Sequence, residues 1–323
     1  MVLSPTTTAD ISPISNGQQR RIDNSLTRVQ VPTISFEYFP PKTDAGTDLL
    51  LGKLHSMRNM NPMWIDVTFG AGGSTSQRTL AICEFAANKL GINVMMHLTC
   101  TNMTVNDLDR ILEQMKEAGL RNIMALRGDP PRDAVEWKPC EGGFRFAVDL
   151  VRYIRSKYGD YFCIGVAGYP EGHTDCESLD ADLNYLKEKV DAGADMIVTQ
   201  LFYDTSLFLD FVERARKIGI SCPIVPGIMP ITTYNGFIRM TDMCKTFVPD
   251  SIREQVERVK DDDTKVREVG IEIATDICKQ LIESGKIYSV HLYTMNNEDN
   301  IREIVRRLAD HLPQAHKQWM YRI

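Results

Sequence analysis

Eight short apolar runs, separated by segments of helical period, constrain the fold more than any other feature of the sequence. They start near Ile34, Met63, Ile92, Asn122, Phe162, Asp195, Pro223 and Ile287. Most are β-branched or continuously apolar, as in WIDVTF, INVMMHL, NIMAL, IGVAGY, MIVTQLF, PIVPGI and YSVHLY. A strand apolar on both faces belongs in a parallel sheet covered on both sides. Between the runs the period changes to that of a helix; in residues 178–195, Leu179, Leu183, Leu186 and Val190 form one stripe. Gly193 stands where a helix C-cap glycine would, and KEAGLRN (116–122) and RKIGISC (216–222) end their helices the same way. Eight strands each followed by a helix is the count of a (β/α)8 TIM barrel. A doubly wound sheet is the rival. However, no strand opens into a GxGxxG helix start, and AGGST at 71–75 lacks that spacing and any Walker lysine. We read AGGST as a turn into a helix beginning near Ser74. The interval between the seventh and eighth runs is nearly double the others and predicts extra helices over roughly 233–247, 250–259 and 264–284. DDDT at 261–264 reads as an acidic helix start, not a metal site.

A chain of 323 residues suits either two average domains or one large barrel. With 37 basic against 43 acidic residues, a net charge of −6 and no basic block, nothing points to nucleic acid or an anionic membrane. The apolar runs are strand-sized, far below the roughly 18 residues of a membrane span. Eight cysteines are scattered without CxxC pairs, and no signal-peptide core precedes them. They read as reduced thiols in a cytoplasmic protein, with no metal site. Residues 1–32 are rich in Ser, Thr and Asn and read as a flexible tail ahead of a catalytic domain at 33–323. A transit peptide would share the arginines, but Asp10, Asp23 and the lack of an amphipathic helix argue against one.

Polar residues recur where the strands end. Glu37 closes the first run, Asp66 and Thr68 the second, and His97 and Thr99 the third. Arg127 and Asp129 follow the fourth, Tyr169 and His173 the fifth, Gln200 the sixth and Tyr293 the eighth. In a barrel these ends converge on one face, where such enzymes keep their active sites. Glu37, in ISFEYFPPK (34–42), is the anomaly. Ile34, Phe36 and Tyr38 point one way and Ser35, Glu37 and Phe39 the other, until Pro40-Pro41 stops the strand. A carboxylate set among aromatics is desolvated, favours its protonated form and can donate a proton. The competing readings are an ion pair with an Arg or Lys, or solvation at the strand end.

FEYFPPK, IDVTFGAGG, HLTC, NIMALRGDPP, VAGYPEGH, GADMIVTQLFYD, CPIVPGIMPI and HLYTMN occur in this order over residues 33–311. Together they resemble methylenetetrahydrofolate reductases. The resemblance implies a (β/α)8 barrel holding noncovalent FAD, and a ping-pong reaction in which NADH or NADPH reduces the flavin. The reduced flavin then converts 5,10-methylenetetrahydrofolate to 5-methyltetrahydrofolate, a step of one-carbon metabolism and methionine biosynthesis. Eukaryotic members usually add a C-terminal regulatory domain. The chain resembles the short bacterial form, which implies a homo-oligomer without that regulation. Opening the folate ring requires protonating a weakly basic nitrogen, and Glu37 matches the family's proton donor.

Asp129 matches an aspartate beside the flavin and the pterin, where its charge would aid hydride donation and stabilise a cationic iminium. Gln200 matches the amide that faces pterin and nicotinamide in turn. Thr68, Phe69, His97, Leu126, Arg127, Gly128, Phe146, Ala147, Ala167, Tyr169 and His173 match flavin-contacting positions, and Asp182 and Lys189 match positions around its adenosine half. Tyr293 and Met295 match folate contacts. The resemblance breaks at Asn297, where relatives often carry an arginine able to clamp the folate glutamate tail; Arg302 is the candidate substitute. Two other functions compete. One is a folate- or flavin-binding module without turnover. The other is a barrel flavoenzyme akin to proline dehydrogenase, which would use Arg302 with Arg306 or Arg307 on a substrate carboxylate.

Overall fold

In the computed structural model, eight parallel strands close into one barrel in chain order, with β8 pairing back onto β1. The structure describes residues 19–28, 31–70, 75–128 and 140–313. The strands are β1 (Thr33–Tyr38), β2 (Ile65–Val67), β3 (Val94–Thr99), β4 (Asn122–Leu126), β5 (Cys163–Gly168), β6 (Met196–Leu201), β7 (Ile224–Ile228) and β8 (Ser289–Tyr293). Every expected start falls within two residues of the observed one.

A short helix, α1 (Ile22–Leu26), precedes the barrel. Around it run α2 (Asp44–Met57), α3 (Ser76–Asn88), α4 (Val105–Glu117), α5 (Ala147–Tyr158), α6 (Leu179–Asp191) and α7 (Thr205–Lys217). The long interval before β8 holds α8 (Tyr234–Cys244), α9 (Asp250–Glu257) and α10 (Asp263–Glu283), close to the ranges expected, and α11 (Glu298–Arg307) follows β8. Asp262 caps α10 by accepting from the amides of Thr264 and Lys265, so DDDT is a helix start. Gly119, Gly193 and Gly219 take the left-handed conformation after their helices, as a C-cap requires. On α6 the expected stripe holds at Leu183 and Leu186, which are buried; Leu179, the first residue of the helix, is instead exposed.

The period of two divides each strand between two cores. Ile34, Phe36 and Tyr38 face outward onto the helices and share the main core with Leu50, Leu54 and Met57 of α2. Inside the barrel a second cluster collects Trp64, Met95, Met124, Cys163, Met196, Val198 and Val225.

Ile22 completes this inner cluster, fully buried, and closes the N-terminal end of the barrel. Asn122 accepts from the Ile22 amide at 2.9 Å and donates to the Arg20 carbonyl at 3.0 Å. Gln19 bonds across Ile92 and Val94, and Arg21 pairs with Asp195 at 2.9 Å. The tail boundary expected at residue 32 is therefore corrected: residues 19–28 are docked, because one apolar side chain and a ladder of amide contacts reward their ordering. Residues 1–18 lie outside the described residues.

Candidate active site

A cavity of about 430 Å³ opens at the C-terminal ends of the strands, within the usual range for small-molecule sites. Its polar walls come from the strand tips: Glu37, Thr68, His97, Thr99, Arg127, Tyr169, His173, Gln200 and Tyr293. Apolar surface comes from Met124, Leu126, Leu201 and Met229, and from Met240 and Met243 of α8. Of the sequence-predicted residues, Phe69, Gly128, Ala167 and Met295 also line it.

Glu37 stands in register with Asp66 on one side and Tyr293 on the other. Phe36 and Tyr38 face away from it, so its neighbours in sequence are not what surrounds this carboxylate. Instead its Oε2 lies 3.5 Å from His97 Nε2 and 3.7 Å from His291 Nε2. His97 Nε2 is also 3.2 Å from Asp66 Oδ2, and Trp64 Nε1 donates to Asp66 Oδ1 at 2.6 Å. Burial alone would lower the His97 pKa, but the bond to Asp66 and the charges of Glu37 and Asp66 raise it above the ordinary histidine value. Glu37, Asp66 and His291 have ligand-type atoms within 4.8 Å of one another. A cation could bridge such a group. The far atoms of this group are tied back, Asp66 Oδ1 to Trp64 and His291 Nδ1 2.8 Å from Ser35 Oγ, so that Asp66 Oδ2 and His291 Nε2 face Glu37.

Tyr293 reaches across the barrel mouth and donates to the Thr199 carbonyl at 2.6 Å. Two backbone features permit this. The β6–β7 register shifts between Val198 and Leu201, and the residue beneath the ring is Gly227. A Cβ there would overlap the Thr199 carbonyl and the Tyr293 hydroxyl. Burial, reinforced by the Glu37 and Asp66 charges, pushes the Tyr293 pKa well above its usual value, so the hydroxyl remains a donor. Gln200 Oε1 accepts from the Leu201 amide at 2.9 Å, which leaves the amide nitrogen for a ligand.

On the opposite wall Gly128 has φ +89°, a conformation that favours glycine, and a Cβ would sit 2.9 Å from Thr99 Cβ. The backbone after β4 thereby presses against the end of β3. The Thr99 hydroxyl, buried and lining the cavity, has no hydrogen-bond partner among the described residues. Arg127 pairs with Asp175 at 2.9 Å, and Tyr169 meets His173 edge-on at 4.8 Å. Burial lowers the His173 pKa, which favours the neutral ring.

Asp182 and Lys189 lie behind this wall on α6. Asp182 is buried, and desolvation raises its pKa. Lys189 is half-buried as a residue, and its ammonium donates to the Ala167 carbonyl at 2.6 Å. Desolvation pushes its pKa down to about 8 against the pull of Asp182.

Several expected residues are placed elsewhere. Phe146 and Ala147 start α5, with Phe146 exposed, and neither lines the cavity. Asp129 and residues 71–74, read from the sequence as a turn, lie outside the described residues. Asn297 caps α11 by accepting from the Asn300 amide. Arg302 is held by Glu298 and Ser56, and Arg306 and Arg307 both pair with Glu303. None of these guanidinium groups lines the cavity, which removes the arginine pair that a proline-dehydrogenase-like site would need. Sequence reading missed the partnership of Asp66 with His291 and the methionine wall of α8. For the first, the period-two pattern carried a signal, since Ser35, Glu37, Asp66, His97 and His291 all take inward positions. For the second it carried none.

The family model described as methylenetetrahydrofolate reductase matches residues 21–309. A Zea mays protein named methylenetetrahydrofolate reductase (NADH) 1 is 50% identical over 284 residues, covering 85% of this chain and 48% of its own. The Arabidopsis thaliana protein of the same name is 49% identical over 294 residues, 88% of this chain and 50% of its own. A Caenorhabditis elegans relative, 40% identical over 281 residues (85% of this chain, 42% of its own), is named a probable methylenetetrahydrofolate reductase (NADPH). The chain thus spans about half the length of the curated relatives it matches. Among solved structures, a Clostridium thermocellum protein described as binding two copies of 5-methyl-5,6,7,8-tetrahydrofolic acid superposes with a TM-score of 0.61. It is 11% identical and covers 90% of this chain and 98% of its own, which supports the barrel fold. No helix among the described residues is long and apolar enough to cross a membrane.

Proposed function

Because the chain belongs to the methylenetetrahydrofolate reductase family, we propose that it reduces 5,10-methylenetetrahydrofolate to 5-methyltetrahydrofolate. NADH or NADPH serves as reductant, FAD as bound cofactor, and the two substrates take turns in one cavity. The observation that carries this reading is the gathering of Glu37, Gln200 and most of the flavin-matching positions around that cavity.

The residues present suit a flavin. A flat ring system fits between the methionine and leucine surface and the strand tips, and the unpartnered Thr99 hydroxyl offers it a hydrogen bond. Gly128, with no Cβ, lets the backbone after β4 close against Thr99 and Thr101 and so shapes this wall of the cavity. Tyr169 and His173 in the cavity wall, with the desolvated Lys189 close behind the Tyr169 ring, suit the adenosine half and its phosphates, and Asp182 beside them suits the ribose. When bound, the flavin supplies hydride acceptance from the nicotinamide and hydride return to the folate methylene carbon.

The chain's own side chains do the rest. Glu37 gives a proton to the folate ring nitrogen. The amide of Gln200 holds whichever ring is present. Tyr293, its hydroxyl committed to Thr199, presents a ring face to folate. The LRGD motif assigns Asp129 to the flavin edge. Free cysteines, with Cys83, Cys100, Cys163 and Cys278 buried, suit a reducing compartment and support a cytoplasmic assignment; homo-oligomeric assembly rests on the family resemblance.

Anaerobic stopped-flow mixing tests the reading. NADH or NADPH should bleach the bound flavin, and methylenetetrahydrofolate should reoxidise it. Glu37→Gln should keep the first step and slow the second by about 10²-fold or more. A protein that retains no flavin, or a variant with both half-reactions intact, would refute it.

A further inference from the structure

The proposed reaction uses Glu37 but not the groups directly behind it. His97 Nε2 lies 3.5 Å from Glu37 Oε2 and 3.2 Å from Asp66 Oδ2, and His291 Nε2 lies 3.7 and 3.8 Å from the same two oxygens. Asp66 and His291 are fully buried. Two carboxylates thus share this end of the barrel with two imidazoles, Asp66 shut off from water and Glu37 part-exposed at the cavity, and neither carboxylate is paired with an arginine or lysine among the described residues. With Glu37 carrying the proton it gives to folate, Asp66 facing two neutral rings would leave an unpaired negative charge out of water, which costs several kcal/mol. The cluster therefore holds at least one further proton.

Its place can be argued from geometry. His291 Nε2 faces two carboxylate oxygens, so a lone pair there would oppose theirs and the nitrogen carries a hydrogen. The Ser35 hydroxyl, 2.8 Å from His291 Nδ1, then acts as donor and fixes that tautomer with the ring neutral. Trp64 holds Asp66 Oδ1 and leaves Oδ2 turned to His97. His97 Nε2, nearest to both carboxylates, is the seat of the extra proton. The described groups facing it are Glu37 of β1, Asp66 of β2 and His291 of β8. Tyr293 of β8 and Cys83 of α3 stand at the cluster's edge, both kept protonated by burial.

Resting on the functional reading above, we propose that His97, clamped by Asp66 and backed by His291, is the store from which Glu37 is reprotonated in every turnover. The Glu37 O–H bond breaks as its proton passes to the folate nitrogen. The carboxylate then takes the proton from His97 Nε2, and His97, which lines the cavity, regains one from water. That is the single proton the net reaction consumes, and no electrons move in the relay. His97 and Asp66 act here as positioning residues.

The test is Asp66→Asn with two readouts. In flavin-free protein labelled at its six histidines, NMR titration follows His97, assigned through His97→Gln. Its proton affinity should fall about tenfold or more in Asp66→Asn, one pKa unit. In the flavin-loaded enzyme the pH limb of the folate half-reaction should move down by the same amount, with flavin reduction by NADH or NADPH unmoved. Ser35→Ala serves if Asp66→Asn does not fold. It lets His291 turn a lone pair on the carboxylates and should raise the His97 proton affinity about threefold. A His97 that stays neutral at about pH 6, or whose titration ignores both substitutions, overturns the proposal. Normal half-reactions with an unmoved folate limb overturn it alone; a protein lacking both half-reactions overturns the functional reading with it.

Discussion

Replacing Lys189 by methionine should change the pH dependence of stability in one direction. The ammonium donates to the Ala167 carbonyl, lies 5.9 Å from the centre of the Tyr169 ring and feels Asp182, yet desolvation dominates and takes its pKa from 10.5 to about 8. In the unfolded chain the value returns to about 10.4. Between the two, the unfolded chain binds more protons than the folded one, so this residue makes stability rise with pH. Its burial penalty is fully present below pH 8 and has gone by pH 10.5. That fall in pKa, at about 1.36 kcal/mol per pH unit, makes the swing at most about 3.4 kcal/mol, an upper bound because Lys189 is only half-buried. Methionine does not titrate. The difference in unfolding free energy, wild type minus Lys189→Met, should therefore climb from neutral to alkaline pH while titrations common to both proteins cancel. Urea unfolding of flavin-free protein, followed by tryptophan fluorescence at several pH values, measures it. A flat or falling difference curve would refute the desolvated ammonium. The same physics gives a binding signature. Flavin phosphates brought to Lys189 would restore its proton, so wild-type flavin binding near pH 8.5 should take up about one proton that the variant does not, measurable by calorimetry in buffers of different ionisation enthalpy.

Gly227→Ala should cost about 2–4 kcal/mol, combining overpacking with loss of the Tyr293–Thr199 bond. Adding Tyr293→Phe to it should cost almost nothing further, whereas Tyr293→Phe alone costs about 1 kcal/mol; additive values in denaturant unfolding would contradict the shared contact. Ile22→Ala should lower stability by about 2–4 kcal/mol through a cavity in the inner core, read as a shift in the urea midpoint. Thr99→Val should leave stability of the flavin-free protein within about 1 kcal/mol, since its hydroxyl has no internal partner to lose, and weaken flavin retention measured by dialysis.

The barrel was legible because burial on both strand faces leaves a compositional mark: runs such as NIMAL and MIVTQLF have no polar face, and only covered parallel strands tolerate that. The site was legible for a related reason. A closed barrel brings strand tips together wherever they lie in the chain, so Glu37, His97, Tyr169, Gln200 and Tyr293 needed no knowledge of contacts to be grouped. What failed depended on direction and distance. Phe36 and Tyr38 are neighbours of Glu37 in sequence but lie on the other face of β1. The pairing of Asp66 with His291 joins strands that are adjacent only after closure. Residues 19–28 read as tail because their polar composition hides a single burying side chain, Ile22, whose worth depends on a hole that exists only once the barrel has formed. Leu179 fits the helical stripe by spacing, yet at the first position of α6 it overhangs the core.

The plug formed by Ile22 and its clip to Asn122 has a consequence for how protons travel. Among the described residues the rear of the barrel is filled by Ile22, Trp64, Met95 and Met196, which leaves the cavity as the open side of the Asp66–His291 pair. Traffic to it must come through the same mouth that admits substrate, so an occupied mouth also seals the proton supply. Anything that loosens the stopper, even a change far from the chemistry, would turn a dead end into a thoroughfare and let bulk acidity govern the carboxyl that the fold keeps private.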